Sequence, residues 1–320
     1  MSDASPPDGR GLASQLRARE LGAAPAVLNL VETRTPLARE QTRQLLAALS
    51  PAELGAEAPG HIVGVTGPPG VGKSSLLSRL VAAWRSDGRS VAVLAVDPSS
   101  RRSGGSLLGD RARIDRDPGD GAVFIRSTAA GERLGGLAPA TRAAASALAC
   151  AFDVVVIETV GVGQSETEVA DVADTVAVVV QPGSGDVLQF LKSGIMEIPD
   201  VLVVTKADLG PLAVRAQSDL HAALRSLGAK TSVVTVSSLP PGTGIEALIT
   251  ALDEHRTALD LPARRLRSRR AHALADFIAE HGERGLRALG GRREAQRWLA
   301  EQAPGTDVGS LERALEARAQ

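Results

Sequence analysis

Short apolar runs rich in valine and isoleucine punctuate the middle of the chain. They are Ile62–Thr66, Val91–Asp97, Ala122–Arg126, Val154–Glu158, Thr175–Val180, Val201–Thr205 and Ser232–Val236. Most are continuously apolar rather than alternating, as expected of strands covered on both faces. Between most of them, Leu and Ala recur at three- and four-residue spacing, which predicts helices. Strands alternating with helices predict an α/β fold with a mostly parallel sheet flanked by helices.

Both ends of the chain carry helical spacing without strand-like runs. Residues 12–33 and 36–49 place Leu and Ala at helical intervals, and Thr35-Pro36 reads as an N-cap followed by proline in the first turn. Pro51 to Gly60 reads as a linker. Beyond Leu261 the stretches near 268–282, 284–302 and 309–319 are helical, with Gly290-Gly291 and Pro304-Gly305 as breaks. The expected organisation is a disordered 1–10, an N-terminal helical extension 11–58, an α/β domain 59–260 and a C-terminal helical extension 261–320. That last part has too few apolar residues for a core of its own. It is expected to pack on the main domain or on a second copy of the chain.

Composition narrows the function. The net charge of −1 does not steer the chain toward nucleic acid or anionic membranes. The five arginines among residues 264–270 form a basic run, but acids return at once (Asp276, Glu280, Glu283) and no aromatic residues interleave. The run is therefore expected to be a solvated helix start. Cys150 is the only cysteine, which fits a reducing compartment. Met1 to Arg10 lacks the apolar stretch of a signal peptide, and the strand candidates are too short to span a bilayer. A soluble cytoplasmic protein, with no nucleic-acid or membrane role, is expected.

The chemistry begins after the first strand. Gly67-Pro68-Pro69-Gly70-Val71-Gly72-Lys73-Ser74 fits G-x-x-x-x-G-K-S, and Ser75 continues into a helical stretch. Strand, glycine-rich turn and helix in that order make a phosphate-binding loop, so the fold is expected to be that of a P-loop NTPase. Backbone N–H groups there cradle phosphate oxygens, Lys73 places a cation near the β- and γ-phosphates, and the Ser74 hydroxyl is suited to Mg2+. Three acids are candidates for the same ion: Glu158 and Asp97, each ending a strand, and Asp110, closing the loop from Pro98. Magnesium keeps several waters, so two or three carboxylates suffice. Glu158-Thr-Val-Gly161 reads as E-x-x-G, in which the Gly161 N–H can sense a γ-phosphate. Gln164 is a candidate for orienting the attacking water, although an ordinary loop glutamine accounts for it as well. No clear arginine finger is present; Arg111 and Arg126 are explained as readily by surface ion pairs.

Thr205-Lys206-Ala207-Asp208 follows an apolar strand and fits [NT]-K-x-D. The Asp208 carboxylate can accept from guanine N1–H and its exocyclic amine, whereas adenine would leave it unpaired. Thr205 stands where Asn is usual, which puts in question both the contact to guanine N7 and the tether to the phosphate loop. Ser237-Ser238-Leu239 fits the next strand end, whose backbone N–H reaches guanine O6. GTP and GDP are thus the expected nucleotides.

Four strings resemble one family, the MeaB/ArgK GTPases: Val96 to Arg111, Glu158 to Glu168, Gln181 to Asp186 and Lys192 to Glu197. The resemblance runs from about residue 25 to 260. It implies a GTPase chaperone of adenosylcobalamin-dependent acyl-CoA mutases, chiefly methylmalonyl-CoA mutase, that gates cofactor loading and protects the mutase. It also implies a homodimer formed through the C-terminal helices. Lys73, Ser74, Asp97, Asp110 and Glu158 match nucleotide and magnesium positions of that family, and the loops near 164–168 and 181–186 match its switches. Alternatives are a metal-inserting GTPase, which needs Cys/His ligands that the scattered histidines and single cysteine do not supply, and a P-loop kinase or ATPase, which would not need T-K-x-D.

Overall fold

A computed structural model of the chain describes residues 7–97, 114–115, 117–129, 137–159, 165–183 and 199–319. All the predicted strands are present: β1 His61–Thr66, β2 Val91–Asp97, β3 Val123–Ala129, β4 Val154–Glu158, β5 Thr175–Val180, β6 Val201–Val204 and β7 Ser232–Thr235. They form one sheet in the order β3-β2-β4-β1-β5-β6-β7, and every pairing is parallel. The described helices are α1 Gly9–Arg17, α2 Ala24–Glu32, α3 Pro36–Ala48, α4 Pro51–Leu54, α5 Lys73–Ser86, α6 Pro139–Leu148, α7 Ser165–Val172, α8 Pro211–Ser226, α9 Ile245–Ala258, α10 Leu261–Ala288, α11 Arg292–Ala300 and α12 Val308–Ala319. None is long and apolar enough to cross a membrane. The chain divides into two compact units, one holding residues 61–138 and 152–259, the other 1–60, 139–151 and 260–320.

The first unit is the sheet and its helices. Alternate strand residues bury on opposite faces, as a period of two requires. Val63, Val65, Val93, Val156, Val179 and Val203 share one core with Leu76, Leu80 and Trp84 of α5 and Leu248 and Leu252 of α9. On the other face α7 lies against β1 at Gly64, where a Cβ would come within 2.6 Å of Val169 Cγ2. The glycine lets helix and strand touch.

The amino edge of the sheet is tied by carboxylates. Asp153, Asp174 and Asp200 each stand just before a strand and accept the backbone N–H of a residue on a neighbouring segment: Ser90 at 2.8 Å, Ile62 at 2.9 Å and Val176 at 2.9 Å. Each satisfies a donor at the sheet's edge. A side-chain series runs beside them. Asp200 Oδ1 lies 3.2 Å from His255 Nε2, His255 Nδ1 lies 2.8 Å from Thr175 Oγ1, and Thr175 Oγ1 lies 2.8 Å from His61 Nε2. One proton arrangement satisfies them all: His255 Nε2–H donates to Asp200, Thr175 O–H donates to His255, and His61 Nε2–H donates to Thr175.

The second unit is helical. Its N-terminal helix begins at Gly9, inside the stretch expected to be disordered, because Asp8 caps it by accepting from the N–H groups of Arg10 and Gly11. Gly9 also permits a close crossing, since a Cβ there would sit 2.0 Å from Gln41 O on α3. Residues 139–151, from the middle of the sequence, join this unit, where α6 packs on α2 and α3. Two expectations are overturned. The C-terminal helices do make a core of their own: Leu274, Phe277, Leu286, Leu289, Leu299, Leu311 and Leu315 bury together. Packing of α10 against α12, with Leu299 of α11 between them in sequence, brings these few apolar residues together. Nor is the basic run solvated throughout. Arg265 is buried and donates to Ala58 O and Gly60 O at 2.5 and 2.6 Å. Arg269 grips Glu57 bidentately at 2.9 Å, and Arg270 donates to Ala300 O and Gln302 O. Arg265 thus satisfies buried carbonyls of the segment before β1, and Arg270 those at and beyond the end of α11.

Titratable groups meet inside this unit. Arg142 of α6 pairs with Asp276 of α10. Burial holds the His272 imidazole neutral, its pKa lowered to about 3, with the Arg142 charge adding to the effect. Burial and then the facing Asp276 push Glu312 up to about 8.

Two predictions follow from these contacts. Thr175→Val removes the hydroxyl between two imidazoles and is expected to cost about 2 kcal/mol, read as a lower urea midpoint. Glu312→Gln is expected to become more stable than wild type as the pH rises. Unfolded Glu ionises near 4.5, whereas the folded residue keeps its proton to about 8, so the native state binds the extra proton and wild type loses stability across that window. The variant's urea midpoint should match wild type near pH 4.5 and exceed it at pH 8. His272 acts in the opposite direction, its contribution being lost below about pH 6.5 in both proteins, and cancels from the difference.

Candidate nucleotide site

A parallel sheet brings the loops that follow its strands to one edge, and the predicted motifs lie on those loops. The loop after β1 turns at once. Gly67 has φ of 147°, and a Cβ there would meet Val179 O at 2.1 Å, so only glycine lets the loop pass β5. Gly72 adopts φ of 97° as N-cap of α5, which aims the helix's first N–H groups into the loop. Lys73 is buried and its Nζ donates to Gly67 O at 2.7 Å and Pro68 O at 3.1 Å. The ammonium is thereby held across the loop's mouth, where phosphate oxygens would meet it.

Glu158 ends β4 with 4% exposure. The Ser74 hydroxyl donates to its Oε1 at 3.3 Å. A hydroxyl and a carboxylate oxygen side by side beside a phosphate cradle are hard donors that fit magnesium, which would complete its sphere with water and phosphate. Asp97 ends β2 at the same edge, two positions beyond Ala95, which is paired with Glu158. Its side chain lies outside the described structure, as do Asp110, Gly161 and Gln164 altogether. Thr66 and Thr159, which follow through from β1 and β4, join hydroxyls at 2.8 Å and lock the two strand ends together.

The tether left in question by Thr205 is present. Its buried hydroxyl lies 2.7 Å from Val71 O in the phosphate loop and 3.0 Å from Val180 O, and its one proton serves both carbonyls. Threonine is short, yet β6 lies close enough to the loop for it to reach. Lys206 takes a left-handed conformation, φ 55°, uncommon outside glycine. Its Nζ donates to Gln181 Oε1 and approaches Gly70 O at 3.5 Å, so the lysine stem crosses the loop. Asp208 is exposed and fixed, its Oδ1 accepting from Ser237 Oγ at 2.7 Å. The Leu239 N–H, expected to reach a base oxygen, donates to that same Ser237 hydroxyl at 3.3 Å, and the Leu239 side chain is 60% exposed.

The candidates therefore form a bonded set. Ser74 meets Glu158, Val71 meets Thr205, Gly70 meets Lys206, and Asp208 meets Ser237. Sequence reasoning missed two participants. Gln181, the polar residue just after β5, begins one of the resemblance strings, but nothing in its local pattern marks it as the partner of Lys206. Arg79 on α5 donates from Nε to Ser238 O at 2.9 Å, and nothing in the local pattern signals it.

Thr205→Val should cut the link between β6 and the phosphate loop. The expected result is about tenfold weaker nucleotide binding in a fluorescent-nucleotide titration, the worth of roughly one buried hydrogen bond, while Thr205→Asn stays near wild type.

Comparison with known proteins places this geometry. The model of the family described as methylmalonyl-CoA mutase-associated GTPase MeaB matches residues 24–285. A Mycobacterium tuberculosis protein named "Probable GTPase" is 41% identical over 257 residues, covering 78% of this chain and 75% of its own. A Caenorhabditis elegans protein named methylmalonic aciduria type A homolog, mitochondrial, is 37% identical over 240 residues, 71% of this chain and 59% of its own. The crystal structure of a LAO/AO transport system kinase superposes with a TM-score of 0.64 at 28% identity, covering 94% of this chain and 98% of that one. With the family model spanning most of the chain and the site elements in their expected order, the chain belongs to the MeaB family of methylmalonyl-CoA mutase-associated GTPases.

Proposed function

We propose that this protein is a magnesium-dependent GTPase acting as a chaperone for an adenosylcobalamin-dependent acyl-CoA mutase of the methylmalonyl-CoA mutase type. In this reading it gates cofactor loading, protects the mutase, works as a cytoplasmic homodimer through residues 261–320, and needs neither nucleic acid nor membrane. The observation that carries the reading is the bonded set joining phosphate loop to T-K-x-D, with Thr205 on Val71 and Asp208 on Ser237. It favours a guanine nucleotide because Asp208 offers two acceptor sites that guanine's donors fill and adenine's edge does not. The family's description supports the mutase as client.

Catalysis would be mostly positioning. The N–H groups of Gly70 to Ser75 and the Lys73 ammonium hold the β- and γ-phosphates, Pro68 and Pro69 having no N–H to give. Ser74 and Glu158, with Asp97 and Asp110, would hold magnesium, which neutralises charge on the transferred phosphoryl group. Gly161 would sense that group, and Gln164 is the proposed residue for orienting water. Intrinsic hydrolysis would be slow, which suits a timing device whose rate the partner sets.

The test is phosphate release from GTP with and without stoichiometric adenosylcobalamin-dependent mutase. The expected result is slow basal turnover, stimulation by the mutase, and loss of about 100-fold or more in Glu158→Ala. Absence of stimulation by any such mutase would sink the chaperone role and leave the GTPase standing. Near-normal turnover in Glu158→Ala would refute the metal assignment.

A further inference from the structure

Two consecutive residues of α5 reach loops on the nucleoside side of the site. Ser78 Oγ donates to Ser74 O and accepts from Asp115 N, both at 3.0 Å. Arg79, half-buried, donates from Nε to Ser238 O at 2.9 Å across 159 residues of sequence. Both line a cleft of about 600 Å³ with Ser75, Asp115, Asp117 and Ser238. The turn that Arg79 grips follows β7. Ser237 and Thr243 exchange backbone bonds at 3.0 and 3.1 Å at its base, and Leu239 at its tip is 60% exposed. Asp208 depends on this turn, because the Ser237 hydroxyl holds its carboxylate.

We propose that Arg79 is a positioning residue for base recognition: by bonding Ser238 O it holds the Ser237–Leu239 turn against the phosphate helix and keeps Asp208 and the phosphate loop at the spacing one nucleotide must span. The inference rests on the guanine reading of Asp208. A nucleotide engages both modules at once, so fixing their separation before binding removes an ordering cost from nucleoside contacts and leaves phosphate contacts alone. A guanidinium suits the task, since its long stem packs along α5 while a planar N–H aims at the carbonyl.

The experiment titrates wild type, Arg79→Met and Arg79→Lys with GDP, ADP and pyrophosphate at fixed magnesium. Methionine keeps the stem and loses the donor; lysine keeps a donor of similar reach. Arg79→Met is expected to weaken GDP by about five- to tenfold and pyrophosphate by less than about twofold, with Arg79→Lys recovering most of the GDP affinity. Unchanged GDP affinity in Arg79→Met would overturn the proposal. So would equal weakening of GDP and pyrophosphate, which would mean that the side chain merely supports α5. Wild type binding ADP as tightly as GDP would sink the guanine reading instead, and a lowered diphosphate-to-pyrophosphate affinity ratio in Arg79→Met would then still report the positioning role.

Discussion

Every strand of the sheet runs the same way, and the site depends on that. Parallel pairing sends the loops after β1, β4, β5, β6 and β7 to one edge, where no single loop has to supply the whole site. The opposite edge carries the corresponding burden of unpaired strand starts. Asp153, Asp174, Asp200 and the imidazole–threonine series take it up there. One end of the sheet is closed by side chains, which leaves the other free to expose backbone N–H groups to a ligand.

At the exposed edge, short side chains hold long-range geometry. The hydroxyls of Ser74, Thr205 and Ser237 each hydrogen-bond to a different segment: the end of β4, the phosphate loop and the turn after β6. A hydroxyl has little rotamer entropy to lose and can share one proton between two carbonyls, as Thr205 does. Replacing the usual asparagine by threonine therefore keeps the tether while giving up an amide that could contact the base directly. On this view base selection falls more heavily on Asp208 and on the contacts that keep it in place.

Much of this was legible in the sequence, for local reasons. The strands announce themselves because continuous β-branched runs have few alternatives, and G-x-x-x-x-G-K-S requires the turn it makes. The ends of β3, β6 and β7 shift by one to three residues, since pairing with neighbouring strands rather than propensity decides where a strand stops. What was not legible is non-local. Arg265 looks like one of five surface arginines until Ala58 O and Gly60 O face it. The C-terminal core escaped notice because its leucines, from Leu274 to Leu315, are sparse in sequence and meet only when α10 and α12 fold together. Helix α6 reads as one more crossover helix, yet its buried face, Ala144, Ala145 and Leu148, belongs with the terminal helices.

The central claim is that Asp208, held by Ser237, reads the base. Replacing its carboxylate by an amide exchanges an acceptor for a donor, which would suit the 2-oxo group of xanthine in place of guanine's amine. The measurement is the affinity of Asp208→Asn for GDP and for xanthosine diphosphate beside wild type. The account predicts an inversion, with GDP preferred by wild type and xanthosine diphosphate by the variant. An Asp208→Asn protein that still prefers GDP as strongly as wild type would contradict it.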